Sequence, residues 1–411
     1  MYRVAVADRL AYDMIWVRFK AVFYYENSFV FLPKSRRNLF FLRIYTYRIY
    51  CAIGCEIEIE RSELMTIREE IELLEKQQLA PLAVCAADSI GRARPEEQDL
   101  LRTCFMRDRD RIVHSKAFRR LNQKTQVYIT PSGDHYRTRL THTLEVNQIA
   151  KTIGKALRLN EDLMEAIALA HDVGHTPFAH TGEEVLNELM PNGFQHNVNS
   201  IRVLSRIEQH KGMPGLNLSK EVLDGVLYHS GYGRVGTHAS TLEGQIIRFS
   251  DKIAYVQHDI DDSIRAGVLR EEDLPQEYTD ILGHSHGDRI TTLVKDLVQH
   301  GQKLMAEAER REDVTLTFTP EVDRAMQGLR AYMFEHVYQS GICSMERERA
   351  ALVVRYLFEH YSKYPEQMPL LYQQIVAEEG IAQGVCDYIS GMSDAYCIAL
   401  FKEITIPRSF I

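Results

Sequence analysis

The chain holds one tryptophan, seven cysteines and no apolar run long enough for a membrane-spanning helix, and each scarcity closes a class of protein. The cysteines (Cys51, Cys55, Cys85, Cys104, Cys343, Cys386 and Cys397) are odd in number and scattered, with neither a CxxC pair nor a zinc-ribbon spacing. They predict no disulfide scaffold and no structural zinc fold, but a reduced, cytoplasmic setting. Cys51 and Cys55, four residues apart, have no second pair nearby and read as ordinary thiols. The most apolar stretches, AVFYYENSFVFLP and NLFFLRIYTYRIYCAIGC, are interrupted by Glu26 and Asn27 and by Arg43 and Arg48. Both fall short of the roughly 20 uncharged residues a spanning helix needs. No order of basic, apolar and small residues marks a signal peptide. Positive charge is also short: 49 Lys and Arg against 57 Asp and Glu leave a net of −8. That excludes a surface that is wholly a nucleic-acid footprint and confines any anion site to a local cluster.

What is there describes a soluble globular protein. At 411 residues, 45% of them hydrophobic and 26% charged, the chain can bury a substantial core in one large or two ordinary domains. Its first 64 residues stand apart, carrying 14 of the 38 aromatics and a local excess of positive charge. From Met65 the text changes to TIREEIELLEKQQLAPLAV, an orderly helical pattern. Apolar periodicity predicts further helices over 138–157, 160–175, 183–190, 197–210, 219–229, 242–266, 289–310, 320–338, 345–362, 367–379 and 380–402. TQVYI, followed by TPSGD, is the best candidate for a short strand and turn, with Pro131 and Gly133 as turn residues. The expected fold is all-α, a helical bundle with additional C-terminal helices and at most a short β-hairpin. The expected divisions are an atypical extension over 1–64, a core over 65–310 and a C-terminal helical region over 311–411.

The chemistry concentrates on four residues. The 138–157 pattern carries His142, and the 160–175 pattern ends on the doublet His171-Asp172, where Gly174 and Pro177 stop a helix. With Asp251 these make two imidazoles and two carboxylates, a mixed N/O set that suits Mn, Fe, Co, Ni or Zn better than all-oxygen shells suit it to Mg or Ca. Water on such a metal loses its proton near neutral pH, which is the chemistry of phosphoester hydrolysis. After the doublet, HDVGHTPFAHTGEEVL places His175 four residues beyond His171, and His180 three before Glu183, so that a carboxylate can orient an imidazole able to carry a proton. Asp251, Tyr255 and Asp259 recur every four residues and line one helical face. Lys252 stands beside the candidate ligand, Arg137 and Arg139 precede His142, and His196 follows in GFQHNVNSI. Asp261 and Asp262 read as a solvated helix face.

Together HTLEV, HDVGHTPFAHTGEE, FQHN and SDKIAYVQHDIDD resemble the HD-domain deoxynucleoside triphosphate triphosphohydrolases, in particular the bacterial dGTP triphosphohydrolase-like proteins. RDRDRIVHSKAFRRLNQKTQV looks like that family's leader, and the likeness runs from about Met65 to the closing IPRSF. It implies an HD-domain enzyme that hydrolyses a dNTP to deoxynucleoside and tripolyphosphate with a divalent metal (Mg, Mn, Fe, Co or Ni) on His142, His171, Asp172 and Asp251. It implies catalytic roles for His180, Glu183 and His196, sugar contacts from Gln126, Tyr255 and Asp259, and phosphate contacts from Arg139, His175 and Lys252. The acidic partner of His180 is Glu183 here and Asp in mammalian relatives, a change in reach that preserves the role. The resemblance also implies a homo-oligomer, commonly a hexamer, a dNTP activator in some members, binding of single-stranded nucleic acid in others, and no membrane.

Two other readings stay open on sequence: an HD phosphodiesterase acting on cyclic nucleotides or alarmones, and a dNTP-sensing or nucleic-acid-binding module tracking strands with the basic leader Arg107 to Arg139. The extension over 1–64 reads as upstream translation before a natural start at Met65, the alternative being a membrane-surface or partner-binding segment. Intact-mass measurement of the mature protein is expected to find a chain beginning at Met65; a species retaining the aromatic-rich segment favours the alternative.

Overall fold

Helix ends are where the sequence speaks most plainly, and the computed structural model shows them capped by the residue types expected. It describes residues 23–30, 42–50, 56–126, 137–231, 238–338 and 341–407, with backbone alone for 23–64, 338 and 341–344. The chain divides into two compact units, Met1–Leu74 with Asp99–Arg102, and Glu75–Gln98 with Thr103–Ile411.

In the first unit, the strands Phe23–Val30, Leu42–Tyr50 and Glu56–Leu64 form an antiparallel sheet with Leu42–Tyr50 in the centre. The sequence carried a signal in the β-branched and aromatic residues of LRIYTYRIY and in the period-two alternation of EIEIE. The expected 66–80 helix appears as Ile67–Gln78. Thr66 and Glu69 close a reciprocal box at its start: the Glu69 amide donates to Thr66 Oγ1 at 3.2 Å and the Thr66 amide to Glu69 Oε2 at 2.9 Å. The expected strand at TQVYI and its turn fall largely within residues 127–136, outside the described residues, as do Trp16, Cys51, Cys55 and the RSF of the closing motif.

The second unit is helical, and among the described residues its strands are a short hairpin, Gln209–His210 with Met213–Pro214. Among the described residues no helix is long and apolar enough to cross a membrane. Arg139–Leu157 starts on Thr138, whose hydroxyl accepts from the Thr141 amide, and ends where Arg158 turns left-handed. His142, Val146, Ile149, Ile153 and Leu157 are its buried stripe, so the imidazole of His142 is the first member of a core-facing row. Glu161–Ala170 starts on Asn160, whose side chain accepts from the Asp162 and Leu163 amides at 3.1 Å each, and it stops one residue before the doublet. These two helices pack with Lys220–Tyr228, Leu242–Arg265 and His286–Glu307 around one apolar core.

A second apolar cluster joins Ala179–Leu189, through Val185 and Leu186, to Val354, Leu357 and Ile389 of the C-terminal helices. The helices depart from expectation at several points. The predicted 380–402 helix breaks into Ile381–Ser390 and Asp394–Thr405, because Gly391 ends the first and Ser393 caps the second. The short helix Gln276–Leu282 was not assigned from sequence. The predicted 197–210 and 320–338 helices each end in a single π turn, Val203–Ile207 and Phe334–Tyr338.

Gly174 holds the doublet's loop against His196–Arg202. A Cβ there would meet the Ser200 amide nitrogen at 2.1 Å and the His196 carbonyl oxygen at 2.5 Å, so the two backbones touch through a position that admits only hydrogen. Ser200 Oγ completes the join, donating to the His171 carbonyl at 2.8 Å and accepting from the Gly174 amide at 2.9 Å. Gly174→Ala is expected to lower unfolding stability by about 2 kcal/mol in urea titration; an unchanged midpoint would show that the two backbones separate without cost.

Candidate metal and catalytic centre

Helix termination, not helix faces, aims two of the site's imidazoles. His171 is the first residue past its helix, and its Nδ1–H donates to the Ala168 carbonyl three residues back at 2.6 Å. The lone pair is thereby left on Nε2, which is buried and has no hydrogen-bond partner among the described residues. His142 reaches the same state by a relay. His258 Nε2 lies 2.8 Å from Glu145 Oε2, and His258 Nδ1 lies 3.5 Å from His142 Nδ1. Burial, against the pull of Glu145, takes His258 down to about 4, so near neutral pH it has one proton, which the nearby carboxylate favours on Nε2. With His258 Nδ1 accepting from His142, the lone pair of His142 falls on Nε2, which faces Asp251 Oδ1 across the space a metal would take.

Around these two nitrogens stand the carboxylates. His142 Nε2 is 3.0 Å from Asp251 Oδ1 and 3.9 Å from Asp172 Oδ2, while His171 Nε2 is 3.4 Å from Asp172 Oδ1 and 3.8 Å from Asp251 Oδ1. Donors about 2.1 Å from one ion lie about 3.0 Å apart at a right angle and about 4.2 Å apart when opposite, so these spacings suit a six-coordinate divalent metal. The donors of His142, His171 and Asp251 all lie within 4.8 Å of one another. The orphaned Nε2 and the N/O set fit the expected metal. Burial alone would raise both acids, but His142 and His171 hold Asp251 well below the usual carboxylate range, and His171, His175 and Arg139 do the same for Asp172.

Asp172 is the most tightly held of the four. Arg139 Nη1 donates to its Oδ2 at 2.8 Å and His175 Nε2 lies 3.2 Å from its Oδ1, all three side chains being buried. His175 stacks on His196 with ring centroids 3.9 Å apart. Glu183 accepts from the His196 amide at 2.8 Å and from His196 Nδ1 at 3.0 and 3.1 Å, closer than its 3.8 Å approach to His180 Nδ1. The carboxylate expected to orient His180 thus grips His196 first. His180 is 53% exposed, which leaves it able to exchange protons with solvent. It emerges from two successive left-handed residues, Phe178 (φ 60°) and Ala179 (φ 53°), a strained turn. Asp394 Oδ1 holds that turn by accepting from the Phe178 amide at 2.9 Å.

A cavity of about 570 Å³ is lined by Gln126, Arg139, His142, Asp172, His175, His180, Glu183, His196, Asp251, Lys252 and Tyr255. Asp259 is not on that surface; it lies wholly buried, pushed up by burial and by Asp262, and itself raises Tyr255. Burial and the neighbouring Arg330 bring Lys252 down to about 7. Sequence reasoning missed His229, Arg248, Arg330, Phe334 and Arg347, which line the same cavity. His229 had a legible signal: like His171, it immediately follows a helix, and its Nδ1–H donates to the Val226 carbonyl at 2.6 Å. Arg248 had one too, three residues before Asp251 and seven before Tyr255 on the same helix, whereas Arg330 and Arg347 gave none, since they converge from distant helices.

Two expectations about charge need correction. Asp262 is buried, and with Asp261 it takes Arg137 at 2.8 Å, so Arg137 faces that helix. In the basic leader, Arg107 and Arg111 pair with Glu96, Arg109 with Asp110, and Lys124 is buried against the carbonyls of His175 and Ser390. The leader presents less positive charge to solvent than its composition suggests.

Two known domain families match the chain, the HD domain over residues 139–256 and the phosphohydrolase-associated domain over residues 316–403. The deoxyguanosinetriphosphate triphosphohydrolase-like protein of Clostridium tetani is 54% identical over 349 residues, covering 84% of this chain and 98% of that one. Its namesake from Clostridium perfringens (strain 13) is 53% identical over 344 residues, with 84% and 99% covered. That of Geobacter sulfurreducens is 40% identical over 381 residues, again with 84% and 99% covered.

The relay yields a test. Glu145→Gln removes the charge that orders His258 and is expected to weaken Mn(II) binding about 10- to 100-fold by calorimetry; unaltered affinity would leave the His142 tautomer fixed by something else.

Proposed function

Given that this chain belongs to the HD-domain family of deoxyguanosinetriphosphate triphosphohydrolase-like proteins, and is a hydrolase on that ground, we propose that it cleaves a deoxynucleoside triphosphate into deoxynucleoside and tripolyphosphate. The observation that carries this reading is one cavity that joins the metal cradle to a wall of Arg139, Arg248, Lys252 and Arg330. Several cations around a buried centre suit a ligand with several phosphates.

The residues that would hold the metal are His142, His171, Asp172 and Asp251. A divalent ion bound there supplies the acidity that lets water attack phosphorus near neutral pH. The chain's own groups do the rest. Arg139 and Lys252 spread positive charge over the phosphate oxygens as the α-phosphorus is attacked, and His175 lies among them. As the bond from phosphorus to the 5′ oxygen breaks, His180 gives that oxygen a proton and recovers one from solvent. Glu183 orients the histidine pair, with His196 as the second proton-handling ring. Gln126, whose buried Oε1 has no hydrogen-bond partner among the described residues, and Tyr255, backed by Asp259, would take the deoxyribose and crowd a 2′-hydroxyl.

The reading extends to a cytoplasmic homo-oligomer, hexameric by kinship, in which a second deoxynucleotide can act as activator. Four free thiols among the described residues, Cys85, Cys104, Cys386 and Cys397, fit a reduced compartment.

Incubation with each dNTP, singly and mixed, in Mn(II) or Mg(II) is expected to release tripolyphosphate. Release of monophosphate or pyrophosphate would instead favour the phosphodiesterase reading. Because Asp172→Ala would leave Arg139 buried without its partner, the informative variant is His171→Gln with Asp172→Asn. It is expected to lose at least about 10³-fold in turnover while keeping the wild-type circular dichroism; undiminished turnover would remove the metal from the mechanism.

A further inference from the structure

One short stretch of the C-terminal region, 387–394, reaches three separate segments of the site. It joins the helices Ile381–Ser390 and Asp394–Thr405, and its Met392 and Ser393 are buried, whereas connections between helices usually run over the surface. Asp387 takes Arg202, the last residue of the helix that His196 opens, in a fork: Nε donates to Oδ1 at 2.7 Å and Nη2 to Oδ2 at 2.6 Å. The Ser390 carbonyl accepts from Lys124 Nζ at 2.9 Å, two residues before Gln126. Asp394 Oδ2 accepts from the amide and the hydroxyl of Thr125 at 3.0 and 2.8 Å, and its Oδ1 from the amide of Phe178 at 2.9 Å, two residues before His180.

Three donors therefore converge on Asp394, which must accept at both oxygens. Among side chains of its length only an ionised aspartate does so. A place in the first turn of its helix, beside the Ser393 cap, favours that charge. Among the described residues no hydrogen bond links this stretch to His142, His171, Asp172 or Asp251.

We infer that Asp394, supported by Asp387, is a positioning residue that sets the distances between Gln126, His180 and His196 and leaves the metal cradle alone. This rests on the roles proposed above for those three side chains. Glu183 joins His180 to His196 directly. The path from Gln126 to His180 runs instead through Thr125, the two oxygens of Asp394 and Phe178. A sugar seated on Gln126 meets the proton of His180 in register only while that carboxylate holds both segments, and an error of about 1 Å there can cost about 10²-fold in rate.

The test uses the full chain with Asp394→Asn, whose amide nitrogen meets a donor where the wild type has an acceptor. Turnover of dNTP is expected to fall about 10²-fold, selectivity for dNTP over the ribonucleotide to narrow, and hydrogen exchange at the Thr125 and Phe178 amides to quicken, all with unchanged Mn(II) affinity by calorimetry. Thr125→Val, which removes one hydroxyl, is expected to show the same pattern more weakly, and Thr125→Ser to restore wild-type values. If Asp394→Asn does not fold, the Val and Ser pair decides on the same readouts. Wild-type turnover and selectivity in the folded variant would overturn the inference, as would Mn(II) affinity lost in step with turnover, the mark of a merely structural role. A wild type that releases tripolyphosphate from no dNTP would sink the proposed reaction alone. The exchange rates and Mn(II) affinity would then still decide whether Asp394 positions these segments.

Discussion

A carboxylate with almost no access to water is the constraint around which this protein is arranged. Asp172 can stay ionised in the interior only because Arg139, His171 and His175 surround it, the two histidines from its own stretch of chain and Arg139 from the helix before it. Arg139 opens the helix that carries His142; His171 closes the next; His175 lies in the loop that Gly174 presses against His196–Arg202. Neutralising one acid therefore fixes the loop of the doublet against the start of the helix that carries His142. The strong partners that Asp172 needs are the same groups that shape the cradle beside it.

How much of this was legible depended on whether the signal was local. The helices that carry the site could be read from apolar periodicity, and their starts from Thr138 and Asn160; the second stops at Ala170, ahead of the Gly174 expected to end it. The doublet and its companions were legible as motifs. What escaped notice was of two kinds. His229 follows a helix as His171 does, but without an acid beside it the local text looks ordinary. Arg330 and Arg347 reach the cavity only because separate helices converge, and no spacing along the chain encodes that convergence, whereas Arg248 could have been read three residues before Asp251 on the same helix. The neutralised leader has the same origin. Arg107 and Arg111 read as a basic run, while Glu96, which takes both, stands in a connector that sequence alone treats as a loop.

Motif spacing also misjudged one partnership. Glu183 lies three residues after His180 on the same helix, the separation at which side chains meet, yet its shortest bonds go to His196, thirteen positions on. The amide of His196 decides the matter, because a carboxylate that caps the next helix cannot also lean fully toward its own helical neighbour. Glu183 is left as a hinge point between two imidazoles of unlike exposure, one open to water and one enclosed.

Asp394 shows what this means for the C-terminal region. One of its oxygens holds the amide of Phe178, and the other holds both the amide and the hydroxyl of Thr125, at separations of 216 and 269 residues along the chain. Lys124 ties the neighbouring strand of chain to Ser390 in the same corner. The left-handed turn that delivers His180 is thus braced from a segment beyond the HD stretch. Two regions that family boundaries draw apart behave mechanically as a single object, and the HD stretch taken alone would be a vessel with its keystone missing.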